Sequence, residues 1–256
     1  MTASRFRVRA SRWLSGRKRE RVLRNVYGTL RNRIPDRLLS VGERQARQYD
    51  RDTIRIAKGA MQEDSAFVDA GAHSGTILKH LVKIAPHGRG YAFEPISSLS
   101  SGLRAKFPGV VVEEAALSDY EGTAIFHILT DDPARSSLVN RPEWEHGKIV
   151  EQLMVSVKRL DDCISPELRI AFLKVDVEGA ELALFKGARR ILAEDRPVVV
   201  FECTHQNFPE VATFLKSLGL ETSFLSRFPH GTTEETLELN PGSGEYCFAA
   251  GPSRST

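Results

Sequence analysis

Short apolar segments alternate with amphipathic ones over most of the chain that follows residue 65. The apolar segments have the length of buried strands, and the amphipathic ones repeat their apolar positions every three to four residues, as helices do. Strands that alternate with helices of this length indicate a parallel sheet with helices on both faces. The predicted strands are 66–70, 89–93, 110–114, 170–176 and 197–202, and the predicted helices are 75–84, 96–106, 180–193 and 209–218.

Other parts of the chain depart from this alternation. Ahead of the first strand, "DRDTIRIAKGAM" predicts a capped helix over 50–61. Between 120 and 160, "GTAIFHI" and "QLMVSVKRL" have the pattern of two strands around a polar loop at 130–150. Further on, "ETSFLSRF" and "EYCFAAG" predict two strands without a helix between them, which fits an antiparallel hairpin. We therefore predict an α/β fold with a mostly parallel, doubly wound sheet and a C-terminal antiparallel hairpin.

The composition is that of an ordinary globular protein, with 41% hydrophobic and 27% charged residues among 256. No apolar run approaches the ~18 residues that a membrane-spanning helix needs, and the start shows no secretory hydrophobic segment. The three cysteines, Cys163, Cys203 and Cys247, are far apart and form no CxxC pair. This pattern predicts reduced thiols and no zinc framework. We therefore expect a cytoplasmic protein.

Charge is distributed unevenly along the chain. Residues 1–60 hold 17 Lys and Arg against 5 Asp and Glu, a net charge of +12, and the remainder carries −9. We predict a basic, partly helical arm at 1–50 and one globular domain at 51–256. The arm suits peripheral contact with an anionic membrane surface, and the alternatives are a solvated arm packed on the domain edge or an organelle transit segment. Because the domain is acidic, we expect no nucleic-acid partner.

The first predicted strand runs into a glycine turn, "FVDAGAHSG", with Asp69, Gly71, His73 and Gly75. Such glycines let the backbone approach a ligand closely. A dinucleotide requires G-x-G-x-x-G to receive its pyrophosphate, but His73 occupies the middle position and Asp69 would repel phosphates. S-adenosylmethionine (SAM) has no phosphate and carries an ammonium and a sulfonium, which an acid attracts. The charges favour SAM as the cofactor.

Two further strand ends carry polar residues that suit an adenosine group. "YAFEP" ends the second strand with Glu94 and Pro95, and an acid at this place accepts the ribose hydroxyls of NAD or SAM. "EAALSDYEG" ends the third strand and offers Leu117 for the adenine face and Asp119 for its amine, with Ser118 between them. The three signals in order predict an adenosine-binding site at this edge of the sheet.

A second motif, "AFLKVDVEGAELALFKGA", covers 171–188. Asp176 ends a strand that a doubly wound sheet places beside the first, so it faces the same cleft. Glu178 and Glu181 follow, and Gly179 permits a tight turn into a helix. The alternative interpretation is helix capping, because acids in a first turn favour the helix dipole without any other purpose.

At this point the chain resembles the FkbM family of SAM-dependent methyltransferases. The resemblance rests on "FVDAGAHSG", "YAFEP", "ALSD", the "SSL" at 136–138, "VKRLDD", "LKVDVEGAE" and "VVVFE", which lie in the family's order over roughly 66–205. It implies a Rossmann-like class I methyltransferase fold for 51–256, SAM as the methyl donor, and O-methylation of a hydroxyl on a sugar, glycolipid or polyketide. His73 departs from the family, which most often has Asn there.

Methylation of an alcohol requires a group that accepts the hydroxyl proton. The candidates that face the predicted cleft are Asp176, Glu178, Glu202 and His205. The three acids could instead gather a divalent cation, but they do not define such a site, and we predict none. We expect a small-molecule or glycan acceptor. The rival hypotheses are a nicotinamide-dependent oxidoreductase and a catalytically idle adenosine-binding module.

Overall fold

The computed structural model describes residues 41–129, 136–139, 150–204, 206–225 and 245–252. By compactness the chain divides into Met1–Gln48 and Tyr49–Thr256, and only residues 41–48 of the first unit are described. Most of the basic arm and most of the polar loop at 130–150 therefore lie outside the described residues. The predicted boundary at residue 50 stays a prediction.

The five predicted helices occur where the periodicity places them, three of them with shifted bounds, and a short helix at Leu160–Cys163 was not predicted. The described α-helices are α1 (Val41–Ala60), α2 (Leu78–Ile84), α3 (Ser97–Lys106), α4 (Leu160–Cys163), α5 (Glu181–Gly187) and α6 (Phe208–Ser217), and a π-helical turn covers Ile191–Asp195. None of these described helices has the length and apolar character needed to cross a membrane.

The helix predicted over 50–61 begins earlier, at Val41. Asp52 and Thr53, near the predicted start, are buried inside α1, and the preceding "VGERQARQY" contains good helix formers. The helix predicted over 75–84 begins only at Leu78, after the glycine turn.

The helix predicted over 180–193 is divided into α5 and the π-helical turn. A Cβ on Gly187 would collide with the carbonyl oxygen of Ser118, so this glycine allows a close approach of the two backbones. The carboxylate of Asp161 then accepts the N–H groups of Arg190 at 2.8 Å and Ile191 at 3.1 Å. Asp161, in the "VKRLDD" motif, thus supports the next turn as a cap does.

Ten described strands form two sheets. They are β1 (Ala66–Ala70), β2 (Gly90–Phe93), β3 (Val110–Glu113), β4 (Ala116–Leu117), β5 (Gly122–Leu129), β6 (Val150–Lys158), β7 (Ile170–Val175), β8 (Val198–Thr204), β9 (Leu220–Phe224) and β10 (Glu245–Pro252). The large sheet has the order β3-β2-β1-β7-β8-β10-β9. Its ladders are parallel from β3 to β8, and β10 pairs antiparallel with both β8 and β9.

This order confirms the predicted fold class. The sheet is mostly parallel and doubly wound, the last two strands form the antiparallel hairpin, and the arrangement is that of a Rossmann-like class I methyltransferase. The strand order reverses between β1 and β7, because β2 and β3 lie on one side of β1 and β8 lies beyond β7. Ligands of such sheets bind beyond the carboxyl ends of the strands at this switch point.

The strands predicted between 120 and 160 pair with each other in a separate sheet of order β4-β6-β5. β5 and β6 are antiparallel and in register from Gly122 opposite Val157 to Leu129 opposite Val150. β4 was not predicted, because two residues are too few to show a hydrophobic period.

Apolar side chains fill both faces of the large sheet. On one face Val68, Leu173 and Phe201 pack with Phe185 of α5. The rings of Phe185 and Phe201 are arranged edge to face, with 5.4 Å between their centroids. On the other face the cluster includes Phe67, Phe172 and Val200, with Leu78 and Leu81 of α2. Because β1, β7 and β8 are buried on both faces, the polar residues at their carboxyl ends have fixed positions.

Candidate active site

The ends of β1 and β7 meet at the switch point, where the two sequence motifs come together. The N–H of Asp176 donates to the carbonyl oxygen of Ala70 at 3.1 Å. Gly71 has φ of 73°, and a Cβ on it would collide with the carbonyl oxygen of Asp176.

On the side where a side chain would stand, the space in front of Gly71 is filled by the Asp176 backbone. The predicted approach of a ligand to the glycine turn stays a prediction. A Cβ on Gly75, which has φ of 82°, would lie 2.7 Å from the Phe107 ring and 2.9 Å from Leu103. Both glycines are required by left-handed backbone and by packing within the protein.

His73 also lies in the left-handed region, with φ of 46°. Among residues other than glycine, Asn, Asp and His adopt this conformation most readily. The replacement of the family's usual Asn by His thus preserves the backbone conformation of the turn. The N–H of His73 donates to Oε2 of Glu94 at 2.9 Å.

Glu94 joins the glycine turn to the start of α3. Its Oε1 accepts the N–H of Ile96 at 2.9 Å, while Oε2 accepts that of His73. The residue is 4% exposed, and burial raises the pKa of Glu94 to about 7 although the two N–H groups oppose the shift. Because each carboxylate oxygen has a second lone pair, this carboxylate retains capacity for donors from a ligand.

A buried lysine, to which the sequence analysis gave no role, lies between the acids at the switch point. The Lys174 Nζ is 3.2 Å from Oδ1 of Asp69 and 3.4 Å from Oδ2 of Asp176. Burial lowers the pKa of Lys174, but the two carboxylates outweigh it and hold that pKa above its ordinary value. Burial also raises the pKa of Asp69, against the opposing effect of Lys174. Asp69 is fully buried, and its carboxylate is paired with Lys174. This ion pair reduces the attraction between Asp69 and a cationic ligand.

A signal for Lys174 was present in the sequence. β7 reads "IAFLKV", and its remaining members are apolar. A charged residue in a strand buried on both faces requires a partner. Asp69 stands near the end of the adjacent strand β1, and Asp176 follows Lys174 by two positions, directly after β7. The expected contact of Asp69 with the cofactor stays a prediction, whereas its ion pair with Lys174 is a finding.

Three predicted acids line one cleft beyond β7 and β8. The residues that bound it are Asp176, Glu178, Gly179, Glu181, Glu202, Cys203 and Thr204. The side chain of Asp176 is 28% exposed. His205 lies outside the described residues. In the described part of the chain, no three His, Cys, Asp or Glu side chains are grouped as a metal ion would require.

The loop that follows β7 is held from two sides. Glu178 and Gly179 have φ of 56° and 102°, and the N–H of Gly179 donates to Oε1 of Glu181 at 2.8 Å. Glu181 is 1% exposed and stands in the first turn of α5, where an acid favours the helix dipole, but its carboxylate binds the loop and makes no cap hydrogen bond to the helix. On the other side the hydroxyl of Ser137, in the "SSL" motif, donates to the carbonyl oxygen of Glu178 at 2.6 Å.

The residues at the end of β4 and directly after it differ in exposure. Leu117 is 2% exposed and packs in the core, which leaves little of its surface for the predicted adenine contact. Ser118 is buried and its hydroxyl donates to Oδ1 of the exposed Asp119 at 3.3 Å. Pro95 is half-buried after Glu94. The cofactor roles of these residues stay predictions.

A family model described as the methyltransferase FkbM domain matches residues 69–221. The chain belongs to the FkbM methyltransferase family. The matched range begins at Asp69 in β1 and ends in β9, so it includes the glycine turn, Glu94, the "SSL" segment and the loop after β7. The resemblance seen in the sequence is confirmed.

Individual relatives of this FkbM-family chain share about a quarter to a third of its residues over the aligned parts. Methyltransferase 1 of Beauveria bassiana is 28% identical over 146 residues, which are 49% of this chain and 59% of the relative. Methyltransferase sdnD of Sordaria araneosa is 31% identical over 155 residues, 47% and 59% of the two chains. The aligned part thus spans about six tenths of the length of these two relatives.

One further relative aligns over more of this chain, and one solved structure was compared with the fold. The 2-O-methyltransferase NoeI of Sinorhizobium fredii is 25% identical over 195 residues, 69% of this chain and 80% of the relative. A crystal structure of methyltransferase FkbM from Methylobacillus flagellatus aligns with a TM-score of 0.49 at 16% identity, over 74% of this chain and 44% of that one.

Proposed function

We propose that this protein is a SAM-dependent O-methyltransferase that transfers a methyl group to a hydroxyl on a sugar, glycolipid or polyketide-type acceptor. One observation carries the proposal. In a chain of the FkbM family, the glycine turn after β1 and the acid Asp176 after β7 lie in contact at the switch point of the sheet.

The groups at the turn fit SAM better than a dinucleotide. His73 stands where a dinucleotide motif has its middle glycine. Asp69 is paired with Lys174, so the negative charge offered to a ligand is that of Glu94, and an ionised carboxylate there disfavours a pyrophosphate and favours a ligand with cationic groups. We assign the ribose hydroxyls to Glu94 and the adenine group to the loop at 117–119.

SAM, when bound, supplies a methyl group activated by a positively charged sulfur. The chain's own residues must then orient the acceptor hydroxyl and take up its proton. Asp176 suits this task, because it lines the cleft and its carboxylate oxygen Oδ2 lies 3.4 Å from the Lys174 ammonium. Glu178 and Glu202 line the same cleft and are the alternative proton acceptors.

A hydroxyl acceptor is supported by one relative, the 2-O-methyltransferase NoeI, which is 25% identical over 69% of this chain. The described residues that line the cleft are mostly acids, with oxygen atoms that accept hydrogen bonds from hydroxyl groups. A polyhydroxylated acceptor would present such donors to them.

The test has a binding arm and a transfer arm. Calorimetric titration of the full chain with SAM and, separately, with NADH is expected to give binding of SAM alone. Transfer is measured with methyl-labelled SAM on a panel of sugars, glycolipids and polyketides, each beside its deoxy analogue. Label in the hydroxyl compounds and not in the deoxy analogues is expected, and label in amine-bearing or deoxy compounds would contradict O-methylation.

A further inference from the structure

One lysine side chain contacts both motifs at the switch point. The Lys174 ammonium donates to the carbonyl oxygen of Gly71 at 2.8 Å and lies 3.4 Å from that of Ala70. It lies 3.2 Å from Asp69 and 3.4 Å from Asp176. The side chain is 4% exposed, so these four oxygens replace water around its charge.

Burial of an ammonium is costly unless it is paired and hydrogen-bonded. Asp69, which is fully buried, would be sufficient as a counter-charge. The second carboxylate, that of Asp176, is 28% exposed and lines the cleft. The network therefore extends from the core to the cleft surface, and its second ion pair is not needed to neutralise Lys174.

The pairing also fixes geometry. An ammonium directs its three protons at tetrahedral angles, so contacts with the carbonyl of Gly71 and with Asp176 restrain these groups relative to each other. The N–H of Asp176 is already bonded to Ala70, so the backbone at this point is held and the carboxylate is the part that remains to be oriented.

We propose that Lys174 is a positioning residue, which holds the carboxylate of Asp176 in a fixed orientation relative to the glycine turn. The acid that faces the acceptor and the turn that faces the cofactor then form one rigid unit. This inference rests on the proposed function, in which Asp176 takes up the acceptor proton.

A purely structural role gives a different expectation. If Lys174 only neutralises Asp69, replacement of both by neutral residues restores stability and activity together. If Lys174 orients Asp176, the same replacement restores stability and leaves turnover low. Lys174→Met alone leaves the Asp69 carboxylate buried without its cation and endangers folding, so we place it in an Asp69→Asn background.

The activity test is a double-mutant cycle on the full chain. The first pair of proteins is Asp69→Asn and Asp69→Asn/Lys174→Met, both with Asp176 present. The second pair carries Asp176→Asn in addition. The kcat of each protein is measured with the acceptor that the panel identifies. With Asp176 present, Lys174→Met should lower kcat at least about tenfold, a coupling typical of contacting residues, and change the Kd for SAM less. With Asp176→Asn the same substitution should change kcat less than about twofold. Equal losses in both backgrounds would overturn the proposal.

Arg169→Met is the matched control. Arg169 precedes the same strand at its other end, and its Nη1 lies 2.9 Å from Oδ1 of Asp195, whose side chain is fully buried. This variant also removes a cation from a buried acid, but far from the switch point. It should lower the free energy of unfolding and leave kcat and the Kd for SAM unchanged.

A second readout needs neither SAM nor an acceptor. In protein labelled with ¹⁵N at the lysine Nζ, the Lys174 signal is assigned by its loss in Asp69→Asn/Lys174→Met. Asp176→Asn in the Asp69→Asn background should shift that signal, and Arg169→Met should not. An unshifted signal would overturn the proposal even if methyl transfer occurs. A shifted signal in a protein that methylates nothing on the panel would uphold the Lys174 contact and contradict the proposed function.

Discussion

Glu94 offers a direct test of the cofactor site, because its protonation should be linked to SAM binding. Glu94→Gln keeps the shape of the side chain but turns one of the two acceptor oxygens into a donor. In the native protein both oxygens accept backbone N–H groups at 2.9 Å, from His73 and Ile96. An amide can satisfy only one of them, and the ribose hydroxyls lose a charged acceptor. We expect SAM affinity to fall by about 1–3 kcal/mol.

The pH dependence of binding follows from the pKa of Glu94, which burial raises to about 7. Hydroxyl groups donate to the ionised carboxylate, so SAM should bind the deprotonated form and displace the proton. The ionised fraction rises about tenfold between pH 6 and pH 8 for such a group, and SAM affinity should rise by that factor and then level off. Calorimetry in two buffers with different heats of ionisation counts the released protons.

The same pKa predicts the stability of the protein without SAM. Because the pKa of Glu94 is raised from 4.5 to about 7 on folding, the folded state holds this proton more tightly than the unfolded state. The resulting contribution to the free energy of unfolding is fully present below pH 4.5 and is lost as the pH rises through 7. Its size is about 3 kcal/mol, because each unit of pKa difference corresponds to 1.36 kcal/mol. Wild-type protein should lose this amount relative to Glu94→Gln in denaturant titrations between pH 4.5 and 8.

Glu94→Gln also serves as the control for pH effects that do not come from Glu94. It retains every other titrating group of the protein, and the titrating groups of SAM contribute equally to binding by both proteins. A stability difference that stays flat over this range would refute the argument from burial. Equal SAM affinity of both proteins at pH 8, or the absence of proton release, would refute the assignment of the ribose hydroxyls to Glu94.

Three further predictions concern the acceptor side, the turn and the basic arm. Asp176→Asn should lower turnover by about 10²–10⁴-fold and change SAM affinity little, as loss of a general base does; near-wild-type turnover would transfer the role to Glu178 or Glu202. Gly71→Ala should lower the thermal unfolding midpoint and SAM affinity together, because its Cβ collides with the Asp176 backbone. Gly102→Ala, inside α3 and with open space around its Cβ position, should lower neither and should raise the midpoint slightly, because alanine favours a helix over glycine. Removal of residues 1–24 should reduce pelleting with anionic vesicles at low salt and preserve transfer to a soluble acceptor; equal pelleting with and without them would contradict membrane contact.

The sequence predicts the sheet well because its central strands are buried on both faces and appear as short apolar runs between turn signals. All five were found within two residues of their observed ends. The failures have local causes: β4 is too short for periodicity, and α1 begins before Asp52 because helix-forming residues precede it. The division of the helix after Glu181 depends on contacts of Gly187 and Asp161 with distant parts of the chain.

In the candidate site, too, some features could be predicted from the sequence and others depend on contacts between distant parts of the chain. Asp176, Glu178 and Glu202 were predicted from their places at strand ends and do share a cleft. The purpose of Gly71 could not be deduced, since the atom that would collide with its Cβ is more than 100 positions away in the chain. Lys174 was visible as a charge in an apolar strand, but its partners depend on which strands are neighbours.

The strand order has a consequence for how the protein is made. β9 is synthesised before β10, yet its place in the sheet lies beyond β10, which is inserted between β8 and β9. Until residues 245–252 have left the ribosome, β8 presents an open edge and β9 has no strand in this sheet to pair with. Open edges of this kind recruit other chains, so this stage of biosynthesis exposes the nascent protein to aggregation. A stop codon before residue 245 would make that exposure permanent while leaving the sequence of both motifs intact.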